Sequence, residues 1–183
     1  MSVPAFDDVL VKAERKLTSS LGGRVRVELF DVLDDGLVKV IESIDHKKFR
    51  RELWYSRDDL NAYAHKEGFV CLVVYFVDIP VAFNFGYADS EEGGFFSDNA
   101  ATLIEKKGIG SVLTILEMYL CYHRGYRSIR LLTEEVDESD RRLRAYWERF
   151  GYRVTSVGPK GIEMRTILNP ESLAKVYNKF GLS

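Results

Sequence analysis

The sequence predicts an α/β domain built on a mixed, mostly antiparallel sheet, and three observations carry that expectation. First, an almost unbroken apolar run from Phe69 to Val77 reads as a buried strand. A turn at Asp78-Ile79-Pro80 leads to a returning strand from Val81 to Tyr87, a polar loop from Asp89 to Gly94, and a third strand from Phe95 to Leu103, which together make an antiparallel meander. Second, Glu105-Lys106-Lys107-Gly108-Ile109-Gly110-Ser111 sits between that strand and a helix whose apolar positions are Val112, Ile115, Leu116, Tyr119 and Leu120. Third, strand and helix signals continue to alternate beyond the stop at Arg124-Gly125.

Residues 4–21 read as a helix with Phe6, Val9, Leu10, Ala13 and Leu17 on one face and Gly22-Gly23 as its end. Arg24 to Leu29 alternates polar and apolar, as a half-buried strand does. Helices are expected over 36–45 and 58–66, the second opened by a capping arrangement of Ser56 with Asp59. Phe49, Leu53, Trp54 and Tyr55 supply apolar bulk between them. After Gly125, a basic turn leads into a strand that carries Glu134 and Glu135, followed by a helix from about Ser139 that stops at Phe150-Gly151-Tyr152. Strands over Arg153–Val157 and Ile162–Leu168 flank a Gly158-Pro159 hinge, and Asn169-Pro170-Glu171 opens a last helix with Leu173, Val176, Tyr177 and Phe180 apolar.

Length and composition restrict the function classes. A chain of 183 residues suits one well-buried domain. A formal charge of −2 supplies no global field for nucleic acid. No apolar run reaches transmembrane length, and Asp7, Asp8, Lys12, Glu14 and Arg15 interrupt any signal-peptide core, so a cytoplasmic protein with no membrane partner is expected. Cys71 and Cys121 lie in apolar surroundings and read as buried free thiols. Scattered histidines (His46, His65, His123) and the lack of a CxxC pattern predict no metal site.

The glycine turn is the first candidate for chemistry. A strand, a glycine turn and a helix start aim several backbone N–H groups at one place, and the helix dipole adds partial positive charge there. The same pattern also serves as a plain tight turn, and no Gly-Lys-Ser/Thr follows to make it a Walker loop.

From Phe95 to Met164 the pattern becomes specific. The glycine turn, the strand ending in Glu135-Val136 and the helix ending in Trp147-Glu148-Arg149-Phe150-Gly151-Tyr152 together resemble the GCN5-related N-acetyltransferase superfamily. The resemblance spans roughly 24–168, with 1–23 as an N-terminal helical extension and 169–183 as a C-terminal helix. It implies helices on both faces of the sheet, acetyl-CoA or another acyl-CoA as co-substrate, and a primary amine as acceptor. The two terminal helices lie outside the resemblance and are candidates for bracing or for a homodimer contact.

Carried over residue by residue, the resemblance makes Gly108 and Gly110 the phosphate-motif glycines, with the backbone of Lys106, Lys107, Gly108, Ile109, Gly110 and Ser111 as the cradle. Glu105 stands where the family has Gln or Arg, and a carboxylate turned inward there would repel a pyrophosphate. Asp98, Asn99 and Ala100 match the strand segment that pairs with the pantetheine arm, with the Ala100 backbone as oxyanion donor; Asp98 fits either a place facing the acceptor amine or a splayed strand end. Glu135 matches the general-base position, since an alkyl ammonium of pKa about 10 must lose its proton before attack. A strand-end carboxylate without chemistry fits it equally. Asp140 falls where the family has an Asn that touches pantetheine, and it suits an N-cap.

Trp147 occupies the position of the family's general-acid Tyr, and an indole N–H does not deliver a proton; a packing residue beside the thioester fits this position too. A thiolate whose acid has a pKa of about 8.5 leaves without full protonation, so slowed rather than abolished transfer is expected. Tyr146, one residue earlier, is expected to face elsewhere, about 100° round the helix. Two other readings stand beside transfer: an acyl-CoA-binding module with weak or no turnover, and a structural or partner-binding protein that keeps the fold without the ligand.

Overall fold

The computed structural model describes residues 3–137 and 140–182. Seven strands form one sheet: β1 (Val25–Phe30), β2 (Val70–Phe76), β3 (Ile79–Ala88), β4 (Gly94–Thr102), β5 (Ser128–Thr133), β6 (Arg153–Gly158) and β7 (Gly161–Ile167). Their order is β1-β2-β3-β4-β5-β7-β6. Every neighbouring pair is antiparallel except β4 with β5, which run parallel. The helices are α1 (Phe6–Leu21), α2 (Asp35–Lys48), α3 (Arg57–Ala64), α4 (Ile109–His123), α5 (Leu143–Glu148) and α6 (Pro170–Lys179). This is the mixed, mostly antiparallel sheet with helices on both faces that the sequence predicts. No helix among the described residues is long and apolar enough to cross a membrane.

The two faces of the sheet carry separate cores. On one, Leu37, Ile41 and Ile44 of α2 and Leu60 of α3 meet Cys71, Val73, Phe83 and Phe85. On the other, α4 lies against the strands, and α1 and α6 pack beside it. Val112 to Cys121 are all buried, so α4 shows no exposed polar stripe. The terminal helices explain this: Val9, Ala13 and Leu17 of α1 and Leu173, Val176 and Tyr177 of α6 join the same core. His123 Nε2 lies 2.8 Å from the Pro4 carbonyl at one end of α4, and Ser20 Oγ donates to the Lys107 carbonyl at 3.0 Å at the other, so α1 runs antiparallel to α4.

Local chemistry sets most element ends. Asp34 caps α2 by accepting from Leu37 N at 2.8 Å. Ser56 and Asp59 form the expected capping box, with Asp serving in place of the usual Glu. Two ends differ from expectation. The β2–β3 turn is Val77-Asp78, both at positive φ (47° and 63°), as tight hairpin turns require, and Pro80 lies inside β3. Proline is accommodated there because Tyr75 pairs with Pro80 while Val74 pairs with Ala82, a bulge that absorbs the missing N–H. The helix expected from about Ser139 begins only at Leu143; Ser139 itself lies outside the described residues.

Candidate active site

The sheet opens where β4 and β5 part. Only Gly94, Phe95 and Phe96 pair with β5, opposite Ser128, Ile129 and Arg130, although β4 continues to Thr102 and β5 to Thr133. The closed end is pinned by Arg130, which donates from Nε and Nη2 to Asp89 at 2.7 and 2.9 Å and lies over the Phe96 ring. Just past it, Phe85 pairs with Asn99 but Gly86 pairs with Ser97, leaving Asp98 as an extra residue. Such a bulge bends the strand that carries it. Gly86 makes it feasible: a Cβ there would lie 2.3 Å from the Phe96 carbonyl oxygen. Beyond the bulge β4 keeps β3 on one side and has no strand on the other, and Ala100 is exposed.

The same bulge places Asp98 and Asn99 together on the α2/α3 face. Tyr87 Oη donates to Asp98 Oδ2 at 2.6 Å and Tyr55 Oη to Oδ1 at 3.3 Å, and the Tyr63 hydroxyl also bonds this carboxylate. Burial raises the pKa of Asp98 above the usual carboxylate range, and the three phenols pull it partly back. The rings form one cluster, with Tyr55–Tyr63 centroids 5.8 Å and Tyr63–Tyr87 centroids 5.7 Å apart. Tyr55 is aimed from behind: its N–H donates at 3.1 Å to the buried Asp45 of α2. Tyr55, expected as packing bulk, and Tyr63 and Tyr87, for which the sequence carries no functional motif, are thus the residues that surround this carboxylate. The alternation Phe83, Phe85, Tyr87 along β3 was the signal available, since it puts three aromatics on one face.

At the far end of β4, α4 begins in the manner of an anion cradle. Its N-cap is Gly108 at φ 82°, and no side chain caps the first turn. Lys106 also adopts positive φ (59°). Glu105, the residue of greatest concern in the sequence, turns its carboxylate to Lys48 and, at 3.2 Å, to Arg141 Nη1. The Lys48 hydrogen bond is the main reason its pKa falls below the usual range.

Two positions differ from expectation, and a third, Trp147, takes a packing place. β5 ends at Thr133, so Glu135 lies in the bend after the strand, with a side chain 63% exposed and 3.5 Å from Arg144 Nη1, on the rim of a cavity of about 380 Å³ that Arg142, Arg144 and Glu148 also line. Asp140 is exposed at φ 57° and donates its N–H to the Asp137 carbonyl at 3.0 Å; it does not cap α5, whose N-cap is Arg142. Trp147 packs edge-on against Tyr152, with ring centroids 5.5 Å apart.

Tyr146 is the further surprise. Its hydroxyl stands over the start of α4, 3.2 Å from where a Cβ on Gly110 would lie, and close enough to Ser111 and Thr114 for both to act on its pKa. Burial raises the phenol pKa, which keeps it protonated. The wall between α4 and β4 also holds a buried carboxyl: Glu117 accepts from Ser97 Oγ at 3.0 Å, and burial pushes its pKa up to about 7.

No family profile and no curated protein matches the chain. Solved structures do. The ribosomal-protein-S18-alanine N-acetyltransferase of Escherichia coli aligns over 78% of this chain and 94% of its own, with TM-score 0.63 and 12% identity. An aminoglycoside 6'-N-acetyltransferase complexed with coenzyme A aligns over 79% and 97%, with TM-score 0.65 and 16% identity. The PaiA N-acetyltransferase of Thermoplasma acidophilum, also in complex with coenzyme A, aligns over 77% and 98%, with TM-score 0.57 and 10% identity. At these identities the likeness is one of architecture: the chain has the fold of the GCN5-related N-acetyltransferases.

Proposed function

We propose that the protein is an acyl-CoA-dependent N-acyltransferase that passes an acetyl group to a primary amine, both substrates being bound together. One observation carries this reading. β4 leaves its parallel neighbour at a bulge that presents a ringed carboxylate, and it then runs directly to a helix start with no side-chain cap. A slot for an extended thioester arm, an anion cradle at one end and an amine-binding carboxylate at the other are thereby in line.

The residues present fit an acyl-CoA. The N–H groups from Lys106 to Ser111 would hold its pyrophosphate, and the open edge of β4 at Asp98, Asn99 and Ala100 would pair with its pantetheine arm. Bound there, acyl-CoA supplies an activated thioester carbonyl. The exposed Ala100 backbone would stabilise negative charge on that carbonyl oxygen. Asp98 and its three tyrosines would draw in an ammonium, through charge and through the ring faces, and take up its proton. The free amine then attacks the carbonyl carbon and the C–S bond breaks, giving an amide; the proton that the nitrogen sheds in this step passes to the leaving thiolate, through water or relayed by the Tyr146 hydroxyl. Glu135 remains a second candidate for the base, acting from the rim.

A binding module without turnover is the competing reading, and Trp147, packed at the general-acid position, favours it. Isothermal titration with acetyl-CoA, on the protein and on Gly108→Trp, is the first test. A Cβ at position 108 meets nothing within 4 Å, but the residue holds φ 82°, so the substitution strains the turn and the variant's thermal transition is compared with the wild type's beside its binding. Binding that the variant loses supports the site, and acetyl transfer to any member of an amine panel supports the reaction. Binding with no turnover on the whole panel leaves the module. No wild-type binding removes both.

A further inference from the structure

A groove of about 600 Å³ adjoins the glycine turn, lined chiefly by Lys12, Arg15, Lys16, Ser19 and Ser20 of α1 and by Lys107. Spacings of three, four and seven residues put Lys12, Arg15, Lys16 and Ser19 on one face of the helix. Four cations thus share one concavity in a protein of net charge −2. Among the described residues no carboxylate pairs with any of the four. The nearest acid in sequence, Glu14, is turned away to accept from Val27 N at 2.8 Å. Like charges at such spacings oppose each other and destabilise a helix. A bound anion would offset that repulsion.

The position of the groove indicates which anion. Lys107 belongs both to the groove and to the glycine turn, and Ser20 Oγ ties α1 to that turn through the Lys107 carbonyl at 3.0 Å. Besides its pyrophosphate, coenzyme A carries one phosphate monoester, on the ribose 3′ oxygen. A monoester holds about −1.5 to −2 charge at neutral pH and three acceptor oxygens. An Arg fork flanked by lysine ammonium groups matches that chemistry. Resting on the acyl-CoA reading above, we propose that this groove receives the ribose 3′-phosphate of the donor. The N-terminal helix, which lies outside the acetyltransferase-like core, then forms part of the donor site and selects coenzyme A over its 3′-dephospho form.

Isothermal titration of the full chain with coenzyme A and with 3′-dephospho-coenzyme A tests this, for wild type, Arg15→Ala and Lys16→Glu. Their thermal transitions check folding. The wild type is expected to prefer coenzyme A by roughly tenfold to a hundredfold. Each variant should bring that ratio toward one while binding the dephospho form as the wild type does. Equal wild-type affinities overturn the groove assignment and leave the donor reading intact, as does a ratio unchanged in both variants. No binding of either ligand overturns the donor reading itself.

Discussion

Tyr146 and Gly110 stand in a relation that a larger residue at position 110 would disturb: a Cβ there would lie 3.2 Å from the Tyr146 hydroxyl oxygen. The phenol therefore sits directly over the first turn of α4, beside the hydroxyls of Ser111 and Thr114. Of the adjacent aromatic pair, Tyr146 alone carries a transferable proton. Tyr146→Phe is expected to lower kcat for acetyl transfer by roughly 10²-fold with little change in KM. Trp147→Phe should change kcat less than about fivefold, because an indole offers no transferable proton. Steady-state kinetics on both variants decide between them, and the reverse ranking would restore position 147 as the one that matters.

Asp98 and Glu135 are separated by environment. Asp98 is partly buried among three phenols and holds its proton more tightly than an ordinary carboxylate, whereas Glu135 is exposed beside Arg144. Asp98→Asn should reduce kcat/KM by about 10² or more, and it should abolish the acidic limb of the pH–rate profile. That limb should lie above the ordinary carboxylate range in the wild type. Glu135→Gln should leave the limb in place and cost less than about threefold in rate. A limb that vanishes in Glu135→Gln and survives in Asp98→Asn would reverse the assignment.

What the sequence could reveal follows from what is local. The Ser56–Asp59 box, the apolar run from Phe69 to Val77 and the glycine turn are decided by residues within a few positions of one another; the box and the turn appear where expected, and the run gives a strand over Val70–Phe76 with Val77 in the turn. The Asp98 bulge is not of that kind. It depends on Gly86, twelve positions away in the sequence, letting β3 approach β4, and nothing near Asp98 signals it. The facing of Tyr146 was missed for a related reason. α5 is six residues long and starts at Leu143, so its rotation is set by Tyr146 packing on Phe150 and by Trp147 on Tyr152, not by its own periodicity. Glu135 falls outside the strand because the ladder with β7 ends at Thr133 opposite Ile162, a boundary set by the partner strand and not by the residues around Glu135.

Glu117 links stability to pH. It is buried in α4 with Ser97 as hydrogen-bond donor, and Cys121, Tyr146 and Tyr152 face it, none supplying positive charge. Its pKa rises from 4.5 to about 7 on folding. The folded state therefore holds a proton that the unfolded state has released between those values. Stability is full below the unfolded pKa and falls as pH rises through the folded one, by roughly 3 kcal/mol in all. Glu117→Gln removes the titration. Urea unfolding from pH 5 to pH 8 should show the variant gaining on the wild type as pH rises, and parallel curves would remove Glu117 as the cause.

Glu105 tests how the cradle balances its charge. Its carboxylate bonds Lys48 and lies 3.2 Å from Arg141, so two cations beside the glycine turn are held by one acid on the turn itself. If the N–H groups of the turn hold the pyrophosphate, removing that acid leaves both cations free to act on the ligand. Glu105→Gln should then tighten coenzyme A binding by roughly threefold at low salt, and the gain should disappear near 1 M salt, where the Debye length falls to about 3 Å. The opposite result has a distinct meaning. Weaker binding at all salt concentrations would show that Glu105 serves mainly to hold Arg141 and the segment before α5 against the turn, so that order rather than charge is what this residue contributes to the site.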